Sequence, residues 1–388
     1  MTGFRPGQYC IAGLGVTEQG RHLGLPPREL RRRALEAALA DAGLTRADVD
    51  GYIGTSSEMF EDLRHLGLAP RFGYTMQTGG ATPAWSIINA MGAIAMGQAE
   101  VVACGYASAP TGGFLRRADG SAGGYGDFAY GYGGEYGLIG AAGAHALHAR
   151  RHMERYGTTS RHLGAVAVAA RSHAVDRPGT VGYGQPITIE DHQASRLIVD
   201  PLRLLDCCRD TDGGVVVLVT TTERARDLPC RPVTVLGAGS GHQLRNWWSG
   251  EVWDLHDDVA PAKATAFGQA GVTVDDIDVA QIYDPFTISV IMQLEAYGFC
   301  GPGEGGPFVE SGATRVGGTI PTNTGGGQHS GFYCTGFTAI CEAVWQLRGE
   351  GGATQVEGAE VALVTGHGGH GGIQNTSTHA TLILGVDR

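Results

Sequence analysis

The segment AGLTRADVD at residues 42–50 is the most informative about the fold, because a second copy, AGVTVDDID, occupies residues 270–278. Each copy lies between a helix-like segment and a strand-like segment. A second match pairs Ala99-Glu100-Val101 with Ala359-Glu360-Val361, and each leads to a glycine. The members of the second match lie farther apart along the chain than those of the first, so the second half carries an insertion near residues 300–335. The two matches indicate a duplicated chain, with a boundary near residue 230 between halves 1–230 and 231–388.

Apolar strand-like and helix-like segments alternate around these copies. In the first half the pattern predicts strands over 9–16, 50–55 and 100–107 and helices over 27–42 and 83–96. In the second half it predicts strands over 233–239 and 279–284 and helices over 260–270 and 288–297. This alternation is typical of an α/β fold with a mostly parallel sheet packed by helices, whose shared crevice holds the chemistry.

Composition excludes several classes of protein. Of the 388 residues, 64 are glycine without a three-residue period, and 42% are hydrophobic. Collagen and intrinsic disorder are therefore ruled out. The formal charge of −11 disfavours a nucleic-acid-binding protein, which needs a basic face.

The sequence predicts a cytoplasmic globular enzyme. The N-terminal residues lack the pattern of a signal peptide, and the longest apolar stretch, residues 84–97, is too short to span a membrane. The eight cysteines have no CxxC spacing, so we expect buried, reduced thiols. The short GxG at Gly13–Gly15 lacks the remaining glycine of a dinucleotide-binding motif.

A Gly/Tyr-rich segment at residues 112–143 begins the region 112–175 of the first half. Its composition fits a flexible linker, whereas its aromatic residues favour an ordered loop that lines a pocket or a partner. We expect the second.

The layout resembles the thiolase superfamily, and within it the sterol-carrier or lipid-transfer-protein thiolase branch. The resemblance is carried by residues 37–53, 145–174, 200–219, 282–300 and 341–352, in the family's order. It implies the thiolase fold, in which two duplicated α/β halves each form a mixed five-stranded sheet sandwiched by helices. It also implies a homodimer that acts on acyl-CoA thioesters without a further cofactor.

The nucleophilic cysteine of that family is missing. It belongs at the N-terminus of the helix predicted over 83–96, where the helix dipole lowers the pKa of a thiol. The preceding residues, QTGGAT at 77–82, contain no cysteine, and the family's nucleophile position falls near Gly80. Thr82 is close by, but we expect it to be the N-cap of the helix.

Two further family elements carry tyrosines. The family's His-containing segment appears as HSGFYCTG at 329–336, with Ser330 at the histidine position and Tyr333 at a glycine position. The second element appears as YDPF, beginning at Tyr283. In place of the C-terminal Cys-x-Gly motif the chain has GHGGH at 366–370.

These replacements resemble the cysteine-less thiolase-like aldolases of steroid side-chain catabolism. That resemblance implies retro-aldol cleavage of a β-hydroxyacyl-CoA, of the 17-hydroxy-20-carboxyl-CoA type, to a ketone and a short acyl-CoA such as propionyl-CoA. It also implies a small partner protein of OB-fold and zinc-ribbon type, in a heterotetramer.

We assign Tyr283 and Tyr333 to proton transfer, with His367 or His370 near the thioester oxygen or assisting a tyrosine. Substrate and CoA contacts are expected from a further set of residues: Gly80, Thr82, Asn323, Gln328, Ser330 and Gly368. No metal is expected, because two histidines at the spacing of His367 and His370 lack a third ligand.

Two alternatives stay open at this point. A non-catalytic acyl-CoA-binding subunit that scaffolds a partner enzyme is compatible with loss of the cysteine. A degenerate acyltransferase would need another nucleophile, and Cys334 is the candidate.

Overall fold

The computed structural model describes residues 4–55, 59–111, 140–243, 256–368 and 377–386. The described strands are β1 (Tyr9–Val16), β2 (Gly51–Gly54), β3 (Phe72–Thr75), β4 (Val102–Ser108), β5 (Leu197–Val199), β6 (Leu202–Arg203), β7 (Gly213–Thr221), β8 (Val233–Gln243), β9 (Val279–Gln281), β10 (Val361–Gly368) and β11 (Ser377–Val386). Most of the Gly/Tyr-rich segment, residues 112–139, lies outside the described residues, so the loop interpretation stays a prediction.

The described helices begin with α1 (Pro27–Ala42), α2 (Met59–Leu66), α3 (Thr82–Ala95), α4 (Gly140–Tyr156), α5 (Ser160–Ala174), α6 (Ile189–Ala194) and α7 (Thr222–Ala225). The second half adds α8 (His256–Ala270), α9 (Thr287–Tyr297), α10 (Gly305–Glu310) and α11 (Phe337–Arg348). The predicted bounds of β1 and α1 are confirmed, and α1 ends at Gly43 with φ 68°, a left-handed C-cap that glycine adopts without strain. No helix in the described part of the chain is long and apolar enough to cross a membrane.

Nine strands form one mixed sheet in the order β3-β2-β4-β7-β1-β8-β11-β10-β9. The two halves meet where β1 pairs with β8, at Tyr9 opposite Val235. Among the described strands, only the pairs β2–β3, β2–β4 and β9–β10 are parallel. The expectation of a mostly parallel sheet is therefore wrong. The alternation of helices and strands does not reveal β7 and β11, which run antiparallel to both of their neighbours.

The mixed sheet of the predicted fold class is confirmed, with one difference in strand number. The first half contributes five strands, as expected, and the second contributes β8 to β11, which is four within the described residues. The predicted strand over 279–284 ends at Gln281, so Tyr283 and Asp284 lie after the strand and are not its last residues.

The two matched segments make the same contact in their respective parts of the sheet. One carboxylate oxygen of Asp50 accepts the backbone N–H groups of Glu100 and Val101, at 2.8 and 3.0 Å. Asp278 accepts those of Glu360 and Val361 in the same way, both at 2.8 Å. The two sequence matches are thus two halves of one structural contact, in which an aspartate anchors the start of the neighbouring strand.

Replacing Asp278 by alanine is expected to lower the free energy of unfolding by about 1–3 kcal/mol, since it leaves two backbone N–H groups at the start of β10 without their acceptor. Asp50→Ala should cost a similar amount at the start of β4. Urea unfolding of both variants measures this. Stability equal to that of the native protein in both variants would contradict the anchoring role.

Glycines let the outer helices approach the central strands of both halves. A Cβ at Gly13 or Gly15 would collide with carbonyl oxygens of α1, at Ala38 and Ala34. Gly237, Gly239 and Gly241 of β8 meet carbonyl oxygens of α8 in the same manner. The GxG of β1 is therefore a helix-packing motif.

The inner face of the sheet carries α3 and α11, which contact each other and strands of both halves. Ile87 of α3 and Ile340 of α11 are fully buried in one core with Ile11, Val217 and Leu382. Their N-termini lie close together, since Gly336, which precedes α11, packs against Pro83 in the first turn of α3. A helix N-terminus presents unpaired N–H groups and the positive end of the dipole.

Candidate active site

Equivalent loops precede α3 and α11 and contact each other. Thr78 pairs with Gly80 in one loop, and Cys334 pairs with Gly336 in the other. A Cβ at Gly336 would collide with the carbonyl oxygen of Gly80. This contact places Gly80, near which the sequence predicts the family's nucleophile position, where two helix N-termini meet and backbone N–H groups can stabilise a developing oxyanion.

Tyr283 is 2% exposed, and its backbone is held on both sides. Its N–H donates to Thr365 Oγ1 at 3.0 Å, and its carbonyl accepts Gln293 Nε2 at 2.8 Å. Thr365 in turn donates to Gln293 Oε1 at 2.6 Å. The position of this tyrosine is therefore fixed by β10 and α9.

The ring of Tyr283 fills the space beside Gly80 that a larger residue there would need. An added Cβ at Gly80 would overlap Cζ and Cε1 of Tyr283 and lie 2.5 Å from the carbonyl oxygen of His367. A cysteine at position 80 and a tyrosine at position 283 in this orientation exclude each other. The Tyr283 ring thus lies against the position that the sequence predicts for the family's thiol.

Tyr333 is half-buried and lies two residues before Thr335, whose φ of 49° is in the left-handed region. Its N–H donates to Thr211 Oγ1 at 2.9 Å, and its carbonyl accepts from the same hydroxyl at 3.3 Å. The loop of Tyr333 therefore leads directly into the turn that contacts Gly80 through Gly336.

Thr82 is not the N-cap of α3, as the sequence had suggested. Ala81 occupies that position, and Thr82 is the first helical residue. The Thr82 hydroxyl accepts the N–H of Thr78 at 2.8 Å, and the side chain is buried. This hydrogen bond stabilises the loop around Gly80, because it gives the backbone N–H group of Thr78 an acceptor.

Gly368 also lies against this loop, since a Cβ there would collide with the carbonyl oxygen of Thr78. Gly366, two residues earlier on β10, faces Ala81. Side chains alternate along a strand, so the imidazole of His367 points to the opposite face. There it lies 3.5 Å from Asp258 of α8, measured from Nδ1 to Oδ2, and burial lowers its pKa to about 4.

The structure therefore brings Gly80, Thr82, Tyr283 and Gly368 together and directs the His367 imidazole away from them. Only the carbonyl oxygen of His367 borders Gly80. His370, the other predicted histidine, lies outside the described residues.

Gln328 and Asn323 form hydrogen bonds with the residues on either side of Tyr283. The N–H of Gln328 donates to both oxygens of Asp284, at 3.0 and 3.1 Å. Asn323, with φ of 51°, accepts the N–H of Ile282 on Oδ1 at 2.7 Å. Both side chains are buried, so they fix the backbone around Tyr283.

Ser330, at the family's histidine position, is 2% exposed, and its hydroxyl accepts Nε of Arg171 at 2.8 Å. Arg171 also donates to the carbonyl of Gln185 at 2.7 Å. This hydrogen bond holds the 327–331 turn against α5.

Cys334 is a poor nucleophile where it stands. It is fully buried, and burial raises the pKa of its thiol. Its Sγ donates to Gln19 Oε1 at 3.4 Å. The thiolate is the reactive form of cysteine, so this environment works against an acyl-transfer role.

Asp284 is the site residue that sequence reasoning missed. Its carboxyl group is buried beneath the turn at Gly327, where an added Cβ would collide with Oδ2. Burial raises the pKa of Asp284 to about 7, although N–H groups of Gln328 and His329 oppose that rise. Its place in the YDPF element was the available signal.

The raised pKa of Asp284 predicts a specific pH dependence of stability. The folded state keeps the proton up to about pH 7, while the unfolded chain loses it near pH 4. The contribution of this group is therefore fully present below pH 4 and is lost as the pH rises through 7. Between pH 5 and 8, Asp284→Asn should gain about 3 kcal/mol of stability relative to the native protein, on the scale of 1.36 kcal/mol per pKa unit.

Urea unfolding at both pH values measures this difference. The comparison isolates Asp284, because the buried histidines contribute equally to both proteins. Parallel stability curves for the two proteins would contradict the assignment.

Known proteins resemble this chain over nearly its whole length. Residues 245–386 match the family described as Thiolase C-terminal domain-like. The chain is 38% identical over 401 residues to a steroid side-chain-cleaving aldolase of Thermomonospora curvata, covering 99% of each. It is 38% identical to the 17-hydroxy-3-oxo-4-pregnene-20-carboxyl-CoA lyase of Mycobacterium tuberculosis, covering 92% of this chain and 96% of the lyase.

Among solved structures, an Ltp2-ChsH2(DUF35) aldolase superposes with a TM-score of 0.87 and 37% identity, over 99% of each chain. The chain belongs to the thiolase superfamily, in the branch close to the steroid side-chain-cleaving aldolases. The resemblance and the thiolase fold expected from the sequence are confirmed.

Proposed function

We propose that this protein is a lyase that cleaves a carbon–carbon bond of a steroid β-hydroxyacyl-CoA by a retro-aldol reaction. The substrate is a 17-hydroxy-20-carboxyl-CoA thioester, and the products are the 17-ketone and propionyl-CoA. One observation carries the proposal: the Tyr283 ring occupies the space beside Gly80, where an acyl-accepting cysteine would stand. The names of the relatives at 38% identity support the substrate class.

The reaction needs no covalent intermediate. A base takes the proton of the β-hydroxyl group, and the C–O⁻ electrons form the ketone as the bond between Cα and Cβ breaks. The electron pair of that bond passes to the thioester as an enolate. An acid then protonates Cα and releases the shortened acyl-CoA.

Backbone groups are suited to hold the enolate oxygen. The N-termini of α3 and α11 converge beside Gly80 and Gly336, and preorganised N–H donors of this kind are the largest single contribution in many enzymes. In this proposal Tyr283 and Tyr333 carry the two proton transfers. Free phenols lose their proton near pH 10, so the tyrosine that acts as base needs a positive neighbour, which a helix N-terminus provides.

The chain is also proposed to act as a homodimer together with a small OB-fold and zinc-ribbon protein, forming a heterotetramer. The similar Ltp2-ChsH2(DUF35) aldolase supports a partner of the DUF35 type. Co-expression with such a partner, followed by light scattering of the purified complex, measures the stoichiometry.

Product analysis tests the function. The purified protein, with and without its DUF35-type partner, is mixed with a 17-hydroxy-20-carboxyl-CoA steroid. We expect equal amounts of the 17-ketone and propionyl-CoA. A complex that binds the thioester without turnover would instead favour the scaffold alternative. Acyl transfer to free CoA would favour the acyltransferase alternative.

A further inference from the structure

A second cluster of polar side chains lies on the sheet face opposite Gly80. It consists of Asp258 from α8, His367 from β10 and His379 from β11. One ligand atom from each residue lies within 4.8 Å of the other two. The exposed fractions of the three residues are 0, 4 and 0%. Two imidazoles and a carboxylate in one buried space are a donor set that first-row transition metals bind.

The spacing within this cluster fits ligands of a common ion. The distance from His367 Nδ1 to Asp258 Oδ2 is 3.5 Å, which is longer than a good N–H···O hydrogen bond. Two ligands on a tetrahedral ion with bonds near 2.0–2.1 Å lie about 3.3–3.4 Å apart. His367 and His379 are direct partners across β10 and β11, with ring centroids 5.8 Å apart, so both rings face α8.

His379 adds an independent observation. Its Nε2 lies 2.8 Å from the hydroxyl of Tyr297, which lies 2.5 Å from Thr381 Oγ1. Its Nδ1 is buried and has no hydrogen-bond partner among the described residues. Metal-binding histidines commonly use one ring nitrogen for the ion and fix the other with an outer hydrogen bond. The Tyr297 contact is of this kind, and it leaves the Nδ1 lone pair for a ligand.

We propose that Asp258, His367 and His379 bind one divalent transition-metal ion, with Zn²⁺ as the ion that best fits the donor set. The sequence lacked a third ligand beside His367 and His370, and the fold supplies two, from α8 and β11. Such an ion joins α8 to β10 and β11. Because Gly366 and Gly368 of β10 border the Gly80 loop, the ion would support that wall of the active site without contacting substrate.

Metal analysis of the wild-type protein tests the proposal directly. The protein is stripped with EDTA, dialysed against Zn²⁺ in competition with a chelating dye, and analysed by inductively coupled plasma mass spectrometry. The expected result is one Zn²⁺ per chain and a raised melting temperature. Failure to take up Zn²⁺ on reloading would overturn the proposal, whether or not the protein is an aldolase.

Variants locate the ion. Asp258→Asn and His379→Asn are expected to weaken Zn²⁺ binding at least about 100-fold, since each removes a ligand. His192→Asn is the matched control, because His192 is also 0% exposed and its Nε2 lies 2.8 Å from Asp206, but it is outside the cluster. It should retain one equivalent. Unchanged affinity in Asp258→Asn would contradict the site.

If these variants fail to fold, zinc-edge X-ray absorption of the wild-type protein identifies the ligand atoms instead. Nitrogen and oxygen ligands at about 2.0–2.1 Å, the usual distances to zinc, would support binding of the ion at this cluster. Sulfur ligands at about 2.3 Å would place the ion on cysteines and overturn the proposal.

Discussion

Replacing Gly80 by alanine is expected to reduce turnover at least about 100-fold and to lower the free energy of unfolding by about 1–3 kcal/mol. The added methyl group would overlap the Tyr283 ring and approach the His367 carbonyl oxygen. The backbone of Tyr283 is held by Thr365 and Gln293, so the ring must leave its rotamer. Overpacking of this kind costs about 1–3 kcal/mol, and a displacement of about 1 Å at a reacting group can cost about 100-fold in rate.

Gly92→Ala is the matched control for this change. Gly92 lies in the same helix, α3, and a Cβ there would meet nothing within 4 Å. Alanine is favoured over glycine inside a helix by about 1 kcal/mol, so this variant should keep full activity and equal or greater stability. Steady-state kinetics and urea unfolding of both variants make the comparison. A native turnover rate in Gly80→Ala would mean that catalysis does not depend on the position of the Tyr283 phenol.

The second large effect is expected from the two phenols. Tyr283→Phe and Tyr333→Phe should each lower kcat by about 100- to 10,000-fold, the range for loss of a positioned acid or base. KM should change little, because the ring and its packing are kept. The pH–rate profile of the more active variant should lose one of its two limbs, and the missing limb identifies the base or the acid.

Tyr74→Phe provides the control for removal of a phenol hydroxyl. The Tyr74 hydroxyl is buried on β3 without a hydrogen-bond partner among the described residues, so its loss should leave kcat unchanged. If Tyr283→Phe and Tyr333→Phe both retain the native kcat, the fold assignment stands and the proton-transfer groups lie elsewhere.

Local patterns predicted the repeated units well. The AGLTRADVD copy, the Gly43 cap and the bounds of β1 and α1 depend on neighbours along the chain, so their signal is contained in short segments. Strand direction is different, because the antiparallel insertion of β7 and β11 is set by pairings between distant segments. An alternating pattern carries no information about which neighbour a strand will have.

Site residues could be predicted from the sequence where they occupy a position in the family's motifs. They could not be predicted where contacts between distant segments determine their arrangement. Tyr283 and Gly80 were singled out separately, but their mutual exclusion depends on the packing of two segments from different halves of the chain. Similarly, the side of β10 on which His367 lies follows from strand register. The burial that raises the pKa of Asp284 comes from the turn at Gly327 and Gln328, which is remote from it in sequence.

In the proposed reaction this thiolase fold breaks a carbon–carbon bond without forming an acyl-enzyme. Rapid-quench intact-protein mass spectrometry during turnover of the 17-hydroxy-20-carboxyl-CoA steroid tests it most directly. We expect the ketone and propionyl-CoA to accumulate while the mass of the chain stays unchanged at every quench time. A mass increase equal to an acyl group, mapped to Cys334 or another cysteine, would contradict it.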